Sequence, residues 1–286
     1  VNPTRPADRH IGRKYSGQPT TDGAGVRMTR VIGTERLDHV DPFLLLDEFR
    51  SDDPDDYIAG FPDHPHRGFE TVTYMLAGAM KHGDNQGNTG RLGPGSVQWM
   101  TAGRGIVHSE LPMQQDGLMW GFQLWVNLPA AQKMTRPRYQ DIPAAAVPQI
   151  TPAEGVTVRL IAGELNDRRG PVDGVPTAPL YMDVDLAAGS TVTLPTPAAH
   201  SAFVYTFDGD AVLVGGADQP SPVNRSEIAI LTSGEVVTLS AGARDGRCLL
   251  VAAQPLNEPV ARYGPFVMNT REELMQAVED FQAGLF

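Results

Sequence analysis

Gly95-Ser96-Val97-Gln98-Trp99-Met100-Thr101-Ala102-Gly103 is a run of β-forming residues closed by glycine at both ends, and Gly234-Glu235-Val236-Val237-Thr238-Leu239-Ser240-Ala241-Gly242 resembles it. Upstream, Thr73-Tyr74-Met75-Leu76-Ala77-Gly78 resembles Val204-Tyr205-Thr206-Phe207-Asp208-Gly209. Two matches in the same order point to an internal repeat, and a repeat made of strands points to two copies of one β-barrel. Other short segments rich in Val, Thr, Tyr, Phe and Leu, among them GFQLWVNL, TVRLIA and LYMDVDL, alternate with Gly, Pro, Asn and Asp clusters. That is the spacing of an all-β chain. A stretch rich in proline and alanine, from Pro129 to Gly155, reads as the linker. With the boundary near Val147, residues 1–147 form one barrel and residues 148–286 the other. One helix is expected at the C-terminal end: Thr270 and Glu273 form a T-x-x-E capping box, Leu274, Ala277, Val278 and Phe281 recur at helical spacing, and Gly284 supplies the stop.

Composition narrows the function. The 286 residues are 41% hydrophobic and 20% charged, globular values, and no apolar run reaches the length of a membrane span. The net charge of −11, without a cluster of Lys or Arg, argues against direct nucleic-acid binding, which needs cations against phosphates. The first residues, VNPTRPADRHIGRKY, have no apolar segment behind them and do not read as a secretory signal. The single cysteine, Cys248, excludes an intrachain disulfide and a cysteine-rich zinc site, and it suits a reducing cytoplasm. Cys248 falls on an expected core strand, so a covalent nucleophile is not indicated.

Two histidine-bearing segments carry the chemistry. In Asp63-His64-Pro65-His66-Arg67-Gly68-Phe69-Glu70 the imidazoles stand two apart, which in extended chain projects both to one face, and Pro65 favours an extended His64. Gly103-Arg104-Gly105-Ile106-Val107-His108-Ser109-Glu110 repeats the device with His108 and Glu110. Three of seven histidines therefore lie in two strand-spaced pairs that a barrel can bring together. Three imidazoles and one carboxylate suit Fe, Mn, Co, Ni, Cu or Zn and suit Mg or Ca poorly. Glu70 shares the parity of His64 and His66 and reaches the same interior if the strand runs on without a bulge. Spacing alone leaves Glu70 and Glu110 both open as the carboxylate. Laying the repeats on one another places Pro195 and Pro197 at the positions of His64 and His66, and Arg247 and Leu249 at those of His108 and Glu110. The second copy lacks the ligand set, which points to a function of the first barrel rather than a need of its fold. His200, opposite Phe69, reads as structural.

The segments HPHRGFETVTY, Gly87-Asn88-Thr89-Gly90, GSVQWMTAGRGIVHSE and EPVARYGPFVMNT look like those of the pirins, bicupins of the cupin superfamily, and the resemblance runs from about Asp41 to Phe286. It implies two cupin-type jelly-roll barrels, with the second degenerate. It implies a single iron, Fe(II) or Fe(III), on His64, His66, His108 and Glu110, with Glu70 behind the ligands. For some members it implies a dioxygenase acting on flavonol enols such as quercetin, in which Glu110 or Glu70 accepts the enol proton. For others it implies a redox-sensitive regulator that binds a partner protein. Outside these motifs, His82 and Asp84 are expected in a solvated hairpin and Trp99 in packing, with Gln98 open. Gly83, Gly87, Gly90, Gly93 and Gly95 lack the G-K-[ST] ending and following helix of a phosphate cradle.

Overall fold

The computed structural model describes residues 6–216 and 220–286. The chain divides into two compact units, one of Gln18–Ala146 with Leu256–Phe286 and the other of Val1–Gly17 with Val147–Pro255. Each is built on a seven-stranded and a four-stranded β-sheet.

Strand β1 (Ile11–Ser16) belongs to the second unit. The first unit is built from β2 (Gln18–Asp22), β3 (Val26–Ile32), β4 (Phe43–Ser51), β5 (Phe61–His66), β6 (Phe69–Ala77), β7 (Met80–Asp84), β8 (Thr89–Leu92), β9 (Val97–Thr101), β10 (Ile106–Pro112), β11 (Met119–Asn127) and β12 (Arg138–Ile142). A seven-stranded sheet runs β12-β9-β6-β11-β4-β3-β2 and a four-stranded sheet runs β5-β10-β7-β8. The apolar and β-branched runs form the centre of the larger sheet. Every residue of β9, and the first seven of β6, are buried. A strand buried on both sides reads as a continuous apolar run rather than an alternation. Phe49, Met75, Met80 and Met119 pack together as one of its cores.

The second unit repeats this order with its own strands. Its seven-stranded sheet runs β1, Glu227–Leu231, Ser201–Gly209, Gly246–Ala253, Leu180–Leu186, Val156–Ala162, Gln149–Ala153. Its four-stranded sheet runs Thr191–Pro195, Val236–Ala241, Ala211–Val214, Ser221–Asn224. Val158, Leu160, Val184, Val204 and Leu250 are among its core residues.

The shared order corrects one expected alignment. β6 and Ser201–Gly209 do correspond, but β9 corresponds to Glu227–Leu231, and Val236–Ala241 takes the place of β10. The expected match between Gly95–Gly103 and Gly234–Gly242 is one strand out of step, because a five- or six-residue strand ended by glycine recurs throughout such a fold. Arg247 and Leu249 therefore lie on the counterpart of β11. Val236 pairs with Pro195 as His108 pairs with His64. The second copy still offers no imidazole there.

The stretch expected as a linker is not a bare one. It holds β12, two short 3-10 turns (Ala130–Gln132 and Ala144–Ala146) and the strand Gln149–Ala153. One boundary does fall between Ala146 and Val147, but it is not the only one, since β1 adds to the edge of the second unit's sheet and the C-terminal segment belongs with the first unit. That segment carries the hairpin Ala261–Tyr263/Phe266–Met268 and helix α1 (Arg271–Gln282). Thr270 caps α1 with both bonds of the capping box to Glu273. Only Ala277 is fully buried, while Leu274 and Val278 are half-buried, so the helix lies on its unit by a narrow stripe. No helix among the described residues is long and apolar enough to cross a membrane.

Candidate metal centre

The antiparallel register of β5 with β10 sets His64 directly opposite His108 and Pro65 opposite Val107. Directly opposed residues project to one face of a sheet, and so do residues two apart on a strand. His64, His66 and His108 therefore converge. The His64 and His108 ring centres are 4.4 Å apart, those of His64 and His66 4.7 Å, and those of His66 and His108 5.0 Å. One nitrogen from each ring lies within 4.8 Å of the others.

Their chemistry fits a cation. His64 Nδ1 donates to the Pro62 carbonyl at 2.8 Å, which leaves Nε2 as the bare lone pair. Both ring nitrogens of His66 and of His108 are buried without a hydrogen-bond partner. Four orphaned nitrogens in one small volume would be costly in a site with nothing to bind. Burial first, then the neighbouring imidazoles, holds both groups well below the usual histidine pKa, so they are the neutral ligands a metal needs.

Glu110 reaches the same cavity from β10. A register shift between His108 and Glu110 puts Glu110 opposite Phe61 on β5. Thr73 Oγ1 lies 2.7 Å from Glu110 Oε1 and 2.7 Å from Gln123 Oε1, and Gln123 Nε2 donates to Glu110 Oε2 at 3.1 Å. Glu110 is thus held by two side chains beside the histidine cluster.

Glu70 is not brought to this place. β5 ends at His66, and Gly68, at φ +90°, turns the chain before β6 begins at Phe69. The alternation counted from His64 does not carry through that turn. Phe69 packs its ring 5.1 Å from His66 and Thr73 reaches Glu110, so Glu70, of opposite parity on β6, faces away. It is buried, accepts a 2.7 Å bond from Thr101 Oγ1, and burial pushes its carboxyl up to about 7.

The turn between the ligand strand and β6 is fastened from several sides. A side chain at Gly68 would run into the Val267 carbonyl. Lys133, buried, donates to the Gly68 carbonyl (2.8 Å), Asn127 Oδ1 (2.6 Å) and the Val267 carbonyl (3.0 Å). Arg67 Nη1 donates to Asp280 of α1 at 2.7 Å. These contacts hold His66 from behind.

His82 departs from expectation. It is 4% exposed rather than solvated, because β7 lies between β10 and β8 and sets His82 opposite Glu110 and Gly90. Its Nε2 lies 3.3 Å from Asp141, and Gln98 Nε2 donates to the same carboxylate at 3.0 Å. Trp99 packs in the core, and Cys248 is buried with its thiol pushed far up by desolvation. His200 is half-buried and gives its carbonyl to Arg9.

A cavity of about 530 Å3 opens over the cluster, within the range of small-molecule sites. Trp125, Phe61, Phe49 and Met28 supply apolar wall, and Arg30, Asp47, Gln123 and Arg262 supply polar groups. No motif in the sequence points to these eight. The spacing of Gln123 and Trp125, two apart on one strand like the ligands, was the available signal.

The Pirin family matches residues 25–126 and the Pirin C-terminal cupin domain matches residues 181–286. The chain belongs to the pirin family. A pirin-like protein of Caulobacter vibrioides is 48% identical, over 97% of this pirin-family chain and 99% of its own. The solved structure of a quercetin 2,3-dioxygenase from Acinetobacter baumannii superposes with a TM-score of 0.90 at 36% identity, over 98% of this chain and 99% of that one. The bacterial pirin YhhW of Escherichia coli, solved in complex with nickel(II), shares the fold at a TM-score of 0.65 and 18% identity, over 85% of this chain and 99% of that one.

Proposed function

We propose that the first barrel holds one transition-metal ion, iron by the family resemblance, on His64, His66, His108 and Glu110, and that the protein is a dioxygenase of flavonol-type enols such as quercetin. The observation that carries this reading is the cluster of three imidazoles, with the ring nitrogens of His66 and His108 buried and orphaned and His64 and His66 lining an aromatic-walled cavity. The similarity to a solved quercetin 2,3-dioxygenase supports the substrate class. When bound, the ion supplies a Lewis acid for the enol oxygen and the redox chemistry with dioxygen.

The chain's own residues do the rest. The planar walls of Trp125 and Phe61 orient a flat ring and exclude water from it. Glu110 receives the enol proton at Oε1. Thr73 has one hydroxyl hydrogen but two oxygens at 2.7 Å, those of Glu110 and Gln123. With a proton on Glu110 Oε1 the three side chains close a ring: Glu110 donates to Thr73, Thr73 to Gln123 Oε1, and Gln123 Nε2 to Glu110 Oε2. The arrangement is fully satisfied only after that transfer.

Oxygen uptake by iron-loaded protein given quercetin tests the reading. Uptake is expected, and His66→Ala is expected to lose both the ion and turnover. A parent protein that binds metal and consumes no oxygen with quercetin or related enols would remove the enzyme reading.

A further inference from the structure

Two guanidinium groups stand on the wall of the cavity, and they are not equivalent. Arg30 is committed: it donates to both oxygens of Asp47, at 2.9 and 2.7 Å, and to Asp22 at 2.8 Å. Arg262 is not. It comes from the hairpin at Ala261–Tyr263, donates Nη1 to the Leu44 carbonyl at 3.2 Å and lies over Trp125, with Cζ 4.9 Å from the ring centre. No carboxylate among the described residues pairs with it within 4 Å; desolvation and the neighbouring Arg30 work against its charge, and Asp38, Asp47 and Asp22 favour it only through space. A bound carboxylate would give the guanidinium the direct partner it lacks.

The position of Arg262 sets the shape of such an anion. Arg262, Trp125, His64 and His66 line one cavity, and the Trp125 ring neighbours both groups, its centre 4.9 Å from Arg262 Cζ and 5.2 Å from that of His66. A flat ring lying along the indole would have the histidine cluster and the guanidinium on the same cavity wall. Leu45, Met28 and Phe61 add apolar surface to the same cavity. The planar guanidinium fork matches a carboxylate better than any neutral group.

Resting on the metal-site reading, we propose that Arg262 is a specificity-determining residue that binds a carboxylate on a planar aromatic substrate whose enol or catechol oxygens face the His64-His66-His108 cluster. The preferred substrates are then aromatic acids bearing a chelating pair of oxygens, and quercetin, which has no carboxylate, engages only the ring and ion sites.

The experiment compares 3,4-dihydroxybenzoate with its methyl ester by calorimetric titration of the metal-loaded protein. The parent is expected to bind the acid more tightly than the ester. Arg262→Gln is expected to weaken the acid at least about tenfold, the worth of one charged hydrogen bond, and to leave the ester and the metal content unchanged. Arg262→Lys, which keeps the charge and loses the fork, is expected to fall between. Equal binding of acid and ester by the parent, or equal losses of both in Arg262→Gln, would overturn the proposal. The ester reports on the ion site independently. If it binds the parent and is lost on metal removal, the site reading stands whatever Arg262 does.

Discussion

Glu70→Gln separates the two carboxylates that spacing alone left open. Glu70 lies on the far face of β6 from the ligand cluster, buried and bonded to Thr101, with its pKa raised from 4.5 to about 7. In the unfolded chain the group releases its proton near the ordinary value, so between about pH 4.5 and 7 the folded protein holds more protons than the unfolded one. The stability it contributes is full below pH 4.5 and is lost as pH rises through about 7. A shift of this size corresponds to roughly 3 kcal/mol at pH 8. The glutamine variant cannot titrate there, and its side-chain oxygen can still accept from Thr101. Its amide nitrogen takes the place of Oε2, which has no partner, so the new hydrogens stay unpaired and add a cost that does not vary with pH. Urea denaturation of parent and variant in chelator between pH 5 and 8 should therefore show a stability difference that moves by about 2.5 kcal/mol in favour of the variant as pH rises. Metal content after reloading should equal the parent's. Parallel stability curves, or loss of the ion, would refute the placement of Glu70.

Thr73→Val keeps the volume and removes the hydroxyl between Glu110 and Gln123; turnover with quercetin should fall roughly 10- to 100-fold while elemental analysis finds the ion retained. Lys133→Met leaves the Gly68 and Val267 carbonyls and Asn127 Oδ1 without their buried donor, and equilibrium unfolding should show a loss of about 3 kcal/mol or more. Gly68→Ala must hold a side chain at φ +90° against the Val267 carbonyl, so a loss of about 2 kcal/mol or more is expected, accompanied by weaker metal retention as His66 is displaced.

What could be read from the sequence follows from the range of the interactions involved. The T-x-x-E box at Thr270 is complete within four residues and forms as read. The pairs His64/His66 and His108/Glu110 are legible because strand alternation is a local rule, and β5 and β10 pair in the register that makes the three imidazoles meet. Glu70 fails the same rule, since one glycine turn between His66 and Phe69 resets the parity. His82 sits among Gly, Asp and Asn residues that signal a turn, and its burial depends on β8 closing over it, with Gly90 leaving room for its ring. Arg262 lies about 200 residues along the chain from His64 and His66, whose cavity it lines, and no local pattern announces it. The slip of one strand in the repeat has the same origin: glycine-ended strands look alike until pairing tells them apart.

Elemental analysis of the purified protein and of His66→Ala, His108→Ala and Glu70→Gln, each loaded with ferrous iron and desalted, tests the metal centre most directly. One ion per chain in the parent and in Glu70→Gln, with loss in both histidine variants, is the predicted result. Iron retained by His66→Ala and His108→Ala, or absent from the parent, would contradict it.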